Sequence, residues 1–133
     1  MRLGISLCFV AALVLSLPDT RAEILTGSWK IALTPDKATA EKGEKEFTDL
    51  ISFVGGKFSS TALSAKGFKP AAYRGDFEEH EAEFDLEQQS ESDGIAIWIG
   101  EVRNGKITGR LQWKKKDGAN FFFDFAGTKA NAG

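Results

Sequence analysis

Hydrophobic and polar residues alternate with a period of two along most of the chain after residue 26. The apolar members of the clearest alternating runs are Trp29, Ile31 and Leu33, then Ala82, Phe84 and Leu86, and finally Phe121, Phe123 and Phe125. Residues between them, such as Lys30 and Glu83, are polar or small. This period is typical of β-strands that turn one face to a core and the other to water.

Glycine-containing pairs separate the alternating runs and predict tight hairpin turns. The pairs are Gly55-Gly56, Asp93-Gly94, Asn104-Gly105 and Asp117-Gly118. Asn104-Gly105 is the strongest signal, because both residues tolerate the positive φ of a type I′ turn. We count seven or eight strands joined mostly by short turns. Such a chain is predicted to be all-β, an antiparallel up-and-down meander of about eight strands closed into a barrel.

The remaining stretches are less regular. Residues 35–46 are a connecting loop or one short helix that begins near Pro35. A third strand over residues 57–62 follows the second, at residues 47–53. Residues 66–74 predict an irregular crossing, with one short strand near residues 72–77. Residues 95–102 are apolar on both faces, so their alternation leaves the inward face undecided.

The first 22 residues have the order of a secretory signal. Arg2 precedes an apolar run over residues 3–17, and Ala22 ends a small-residue site ahead of Glu23. A run of this length is below the ~20 residues that a membrane-spanning helix needs. We therefore predict a cleaved signal peptide over residues 1–22, a single barrel domain over residues 23–133, and a periplasmic or extracellular location without stable membrane insertion.

Composition removes several functions from the predicted mature domain. Cys8, the one cysteine, lies in the signal, so disulfides and thiolate chemistry are not available to residues 23–133. The whole chain has a net charge of −2, and loss of Arg2, Arg21 and Asp19 with the signal makes it −3. A net acidic domain argues against binding to nucleic acid.

Six short motifs occur along the chain after residue 26: Gly27-Ser28-Trp29, Phe58-Ser59-Ser60, Gly67-Phe68, Trp98-x-Gly100, Gly105-x-Ile107-x-Gly109 and Phe123-x-Phe125-x-Gly127. Together they resemble the lipocalins and the wider calycin group, and small exported bacterial lipocalin-like proteins of unassigned role in particular. The resemblance implies that the predicted meander is a lipocalin- or calycin-like barrel with a tryptophan in its first strand. Lipocalins usually place an arginine of the last strand over that tryptophan. Here only Lys129 is available, and we expect it beyond the end of that strand.

The aromatic residues are the candidate ligand-binding residues. Trp29, Trp98, Trp113, Phe121 and Phe123 would line an internal cavity if the barrel holds a ligand, since barrels of this size either fill with side chains or hold one small molecule. The alternative is that the same residues are simply the hydrophobic core.

Catalytic chemistry has little support. His80 lies among glutamates on what we expect to be an exposed strand, which lacks the three or four converging ligands of a zinc site. No serine has the spacing of a nucleophile elbow. Residues 114–116, three lysines, are expected to be a solvated hairpin end that discourages edge pairing. We predict no enzyme activity, no cofactor and no metal.

Two functions remain open. One is a binding module that carries a small hydrophobic molecule inside the barrel. The other is a protein-interaction module, such as an inhibitor of a secreted enzyme, that acts through rim loops over residues 34–45 and 65–74.

Overall fold

The computed structural model describes residues 24–130. They form nine strands and two short helices in the order β1 (Gly27–Pro35), α1 (Lys37–Glu41), β2 (Phe47–Val54), β3 (Lys57–Ser60), α2 (Thr61–Ser64), β4 (Ala71–Ala72), β5 (Arg74–Phe77), β6 (Glu81–Ser90), β7 (Gly94–Arg103), β8 (Lys106–Lys114) and β9 (Asn120–Lys129). The predicted signal peptide lies outside the described residues. Within residues 24–130 no helix has the length and hydrophobicity to cross a membrane.

All nine strands belong to one antiparallel sheet in the order β4-β3-β2-β1-β9-β8-β7-β6-β5. Strands that follow each other in sequence are neighbours except β4 and β5, which form the two edges of the sheet. β1 also pairs with β9, and the sheet curls into a nearly closed barrel. The predicted all-β meander barrel is therefore confirmed. The described residues form nine strands, whereas the sequence predicts seven or eight. The extra strand arises because the strand expected near residues 72–77 is interrupted at Tyr73. There the chain passes from β4, paired with β3, to β5, paired with β6.

Local side-chain hydrogen bonds explain both helices. Asp36 caps α1 by accepting from the backbone N–H of Thr39 at 2.9 Å, which confirms the helix alternative for this stretch. The strand predicted over residues 57–62 was too long, since it ends at Ser60. The Ser60 hydroxyl accepts from the Leu63 N–H at 3.1 Å and so starts α2.

The structure settles the orientation of β7. Ala96, Trp98 and Val102 point inward and are buried, so the isoleucines of this strand lie on the outer face. Gly100 and Gly109 pair with each other on the inner face. The Phe84 ring lies over Gly100 and the Phe125 ring over Gly109, so a large ring covers each glycine. The aromatic core and these glycines therefore fit together.

Candidate functional site

The five predicted site residues are all buried, and their ring contacts divide them into separate groups. Trp98 and Phe123 have no exposed surface, and Trp29, Trp113 and Phe121 have at most 9% exposed. Trp113 and Phe121 are cross-strand neighbours with ring centres 6.3 Å apart. Trp29 lies on β1 opposite Lys129, and Phe123 packs on Phe47 at 5.3 Å. The aromatic residues therefore divide into groups at different levels of the barrel.

Around Trp98, aromatic rings contact one another across the barrel interior. The Trp98 ring centre lies 4.9 Å from that of Phe58 on β3 and 5.6 Å from that of Phe125 on β9. Phe53 on β2 continues the series, at 5.2 Å from Phe58 and 4.9 Å from Phe84 on β6. Centre-to-centre distances of this size are those of packed aromatic pairs. The rings thus link opposite walls of the barrel and occupy the space between them.

Each indole N–H already has a partner within the protein. Trp29 Nε1 donates to the Leu25 carbonyl at 2.9 Å, and Trp113 Nε1 donates to the Asp93 carbonyl at 2.7 Å. Trp98 Nε1 donates to Gln88 Oε1 at 3.0 Å. Buried polar groups are normally paired in this way. None of the three indoles therefore offers an unused donor to a ligand.

An open pocket of about 870 Å³ lies at the end of the barrel where β6 and β8 finish and β7 begins. Its lining carries four lysines and one carboxylate: Lys69, Lys114, Lys115 and Lys116, with Glu91. Within the described part of the chain, none of these lysines forms an ion pair. We call these four lysines together with Lys66 the basic rim.

Two hydrogen bonds from β6 fix the loop that carries Lys66 and Lys69. Ser90 Oγ donates to the Lys66 carbonyl at 2.8 Å, and Gln88 Nε2 donates to the Lys69 carbonyl at 2.8 Å. Gln88 therefore joins the buried Trp98 indole to the rim loop. This tertiary contact brings residues 66–69 beside the lysines at the end of β8.

Two aromatic rings lie beneath the ammonium groups of two rim lysines and of the neighbouring Lys42. Lys115 Nζ is 4.2 Å from the ring centre of Trp113 and 5.5 Å from that of Phe121. Lys66 Nζ lies 5.8 Å from Trp113, and Lys42 Nζ lies 5.6 Å from Phe121. Cation–π attraction orients ammonium groups over ring faces. Lysine ammonium groups gathered in this way can bind carboxylate or phosphate oxygens.

His80 does not lie on a strand, so its expected position was wrong. It occupies the turn between β5 and β6, where the backbone N–H of Glu78 donates to the Glu81 carbonyl at 2.8 Å. Its imidazole is 84% exposed and lies 3.8 Å from Glu79. Among residues 24–130 no three His, Cys, Asp or Glu side chains converge to form a candidate metal site.

Asp49 is a buried carboxyl group that the sequence pattern does not single out. It points into the barrel from β2, is 8% exposed, and accepts hydrogen bonds from the Ser60 hydroxyl and from the Ala62 N–H. Burial raises the pKa of Asp49, and the hydrogen bond from Ser60 opposes that rise. Because its partners are the first residues of α2, the carboxyl group stabilises the start of that helix.

A scan against protein-family models and searches of curated proteins and of solved structures each gave no match to this chain.

Proposed function

We propose that the protein is an exported, non-enzymatic binding module that recognises the acidic surface of a partner protein through its basic rim. The observation that carries this proposal is the contrast between the barrel interior and the rim. Aromatic rings contact one another across the interior, whereas the lysine-lined pocket opens to solvent. A filled barrel provides a rigid platform, which lowers the ordering cost of binding.

The chemistry of the rim supports an acidic partner. Lysines bind carboxylates as flexible point charges, and complementary charge accelerates encounter and selects partners. The rim also gathers the loops that the sequence singles out, since Lys66 and Lys69 lie within residues 65–74. Lys42, within residues 34–45, lies over Phe121 at the same end. An inhibitor of a secreted enzyme is one specific case of such a module.

A charge-reversal pair tests the proposal. The first variant is Lys69→Glu with Lys116→Glu on the rim; the control is Lys57→Glu with Lys106→Glu at the opposite end of the barrel. All four lysines are exposed, so both variants should fold and both change the net charge equally. The probe is poly-L-glutamate, with poly-L-lysine as the like-charged comparison.

We expect poly-L-glutamate to bind the wild type and the control variant with similar, salt-sensitive affinity. The rim variant should lose most of that binding. Equal binding by the two variants would show that the rim is not the site. The competing function, a hydrophobic molecule inside the barrel, predicts a copurifying lipid in native mass spectra of the exported protein. Such a mass adduct, with no binding of the acidic probe, would overturn the proposal.

A further inference from the structure

The outer face of β7 carries an apolar stripe of Ile95, Ile97 and Ile99. Ile99 is 59% exposed, and Ile95 and Ile97 are half-buried. These side chains point outward because Trp98 and its neighbours take the inner face. A continuous row of large apolar side chains is unusual on the exposed surface of a monomer, and it indicates an interaction site.

The strands on either side give the stripe two unlike flanks. Asp85 on β6 and Arg110 on β8 both pair with Ile99. One step along, Glu87 and Gln112 flank Ile97, and at the next step Gln89 and Lys114 flank Ile95. The charged residues of the β6 flank are therefore acidic and those of the β8 flank basic, and an acid and a base lie at the same position along the strands beside Ile99.

We propose that this face binds a second copy of the chain, with the two-fold axis parallel to β7. That rotation preserves position along the strand and exchanges the two flanks. Asp85 of one protomer then faces Arg110 of its partner, and the reverse pair forms by symmetry. A two-fold axis across the strands would instead set the acidic flank against itself, which like-charge repulsion opposes.

Existing ion pairs extend this match. Within one protomer Arg74 lies 2.6 Å from Asp85, and Arg110 lies 3.0 Å from Asp124. These exposed pairs contribute little separately. In the dimer each Asp85–Arg110 contact would join one pair from each protomer into a network of four charges around the isoleucine stripe. An apolar centre with a charged periphery is the usual anatomy of an interface.

The parallel axis also has a consequence for binding, which rests on the proposed function of the rim. Both basic rims would open at the same end of the dimer, because the rotation leaves the strand direction unchanged. A partner with two acidic patches could then engage both rims, and the second contact would gain from effective concentration. The dimer itself does not depend on that function.

Sedimentation velocity over a range of protein concentrations tests the dimer directly. The wild type should show a concentration-dependent dimer, and Ile99→Lys should be monomeric at every concentration. The matched control is Val54→Lys, which replaces a 64% exposed apolar residue on β2 and should leave the dimer intact. A monomeric wild type, or equal loss in both variants, would overturn the proposal.

Charge reversal at the flanks tests the axis. Asp85→Arg alone and Arg110→Asp alone each place like charges opposite each other in their homodimers, so both should be monomeric. An equimolar mixture of the two variants should recover a heterodimer, in which both contacts pair opposite charges. Each substitution also removes an ion pair within its own protomer, with Arg74 or with Asp124. Mixing the variants does not restore those pairs, so recovery of a dimer would report the contacts between protomers. A mixture that stays monomeric, beside a dimeric wild type, would contradict the parallel axis.

The dimer and the rim can fail independently. Ile99→Lys leaves the basic rim unchanged and should still bind poly-L-glutamate as a monomer. Monomeric wild type with retained probe binding would reject the dimer alone. An intact dimer without probe binding would reject the rim function alone.

Discussion

The ammonium group of Lys129 lies 5.3 Å from the centre of the Trp29 ring. Lys129 is the last residue of β9 and pairs directly with Trp29 on β1, so its expected position beyond the last strand was wrong. The strand continues past Gly127, which allows close backbone approach: a Cβ there would lie 1.9 Å from the Lys30 carbonyl oxygen. A lysine thus occupies the place over the first-strand tryptophan where the resemblance implies an arginine.

Trp29 should be one of the main contributors to stability. Its indole is 1% exposed and closes one end of the barrel against Leu25. Trp29→Ala should lower the free energy of unfolding by about 3–5 kcal/mol, through lost burial and the cavity left behind. Denaturant unfolding measures the loss. Val54→Ala, at an exposed position, should change it by less than about 0.5 kcal/mol. An unchanged midpoint for Trp29→Ala would show that this ring is not core.

Gln88 should couple the barrel interior to the rim loop. Gln88→Leu leaves the buried Trp98 N–H without its acceptor and should cost about 1–3 kcal/mol of unfolding free energy. The same change in a Trp98→Phe background should cost less, because the unpaired donor is gone. Gln89→Leu, on the exposed side of the same strand, is the control. Equal costs in both backgrounds would mean that the hydrogen bond contributes nothing.

Stability should depend on pH through Asp49. Because burial raises the pKa of Asp49 above its ordinary value of 3.8, the folded protein holds this proton more tightly than the unfolded chain. The resulting stabilisation is complete below the unfolded pKa and is lost as pH rises through the raised folded pKa. Asp49→Asn should remove this loss, so its unfolding free energy should gain on the wild type as pH rises. Asp76→Asn, at an exposed position on β5, should track the wild type. Parallel curves for Asp49→Asn and wild type would refute the role of burial.

Gly109 should not tolerate a side chain. A Cβ at this position would lie 2.2 Å from the Ile99 carbonyl oxygen and 2.5 Å from the Phe125 ring. Gly109→Ala should therefore cost about 1–3 kcal/mol, since backbone as well as ring must shift. Gly75→Ala is the comparison, because there the three atoms nearest to the added Cβ all belong to the Phe77 ring. A smaller loss for Gly109→Ala than for Gly75→Ala would contradict this account of the sheet.

Alternation was sufficient to predict the faces of the most regular strands. Polar and apolar residues alternate over residues 81–87 of β6, and Phe121, Phe123 and Phe125 recur at every second position of β9. The buried faces of both strands are those expected. On β7 isoleucines and Trp98 compete for the interior, and only contacts with other strands decide between them. The rings of Phe58 and Phe125, on β3 and β9, pack against Trp98, and these contacts place the indole on the inner face of β7.

Features that depend on distant residues could not be predicted. The helix α2 starts where Asp49 accepts from Ala62, thirteen positions along the chain. The sequence around the lysines at the end of β8 predicts only a solvated hairpin, because the loop that forms the pocket with them lies far away in the chain. The loop of residues 66–69 completes the pocket, and hydrogen bonds from Gln88 and Ser90 hold that loop beside the lysines.

The indole N–H resonances of the three tryptophans provide the most direct test of a filled barrel that binds at its rim. Trp113 lies under Lys115, Trp98 lies in the ring core, and Trp29 closes one end of the barrel on β1. In ¹⁵N-labelled protein titrated with poly-L-glutamate, the Trp113 signal should shift while those of Trp98 and Trp29 stay in place. A panel of fatty acids should move none of them. A Trp98 signal that shifts with a fatty acid, beside a Trp113 signal that ignores the acidic probe, would contradict the account.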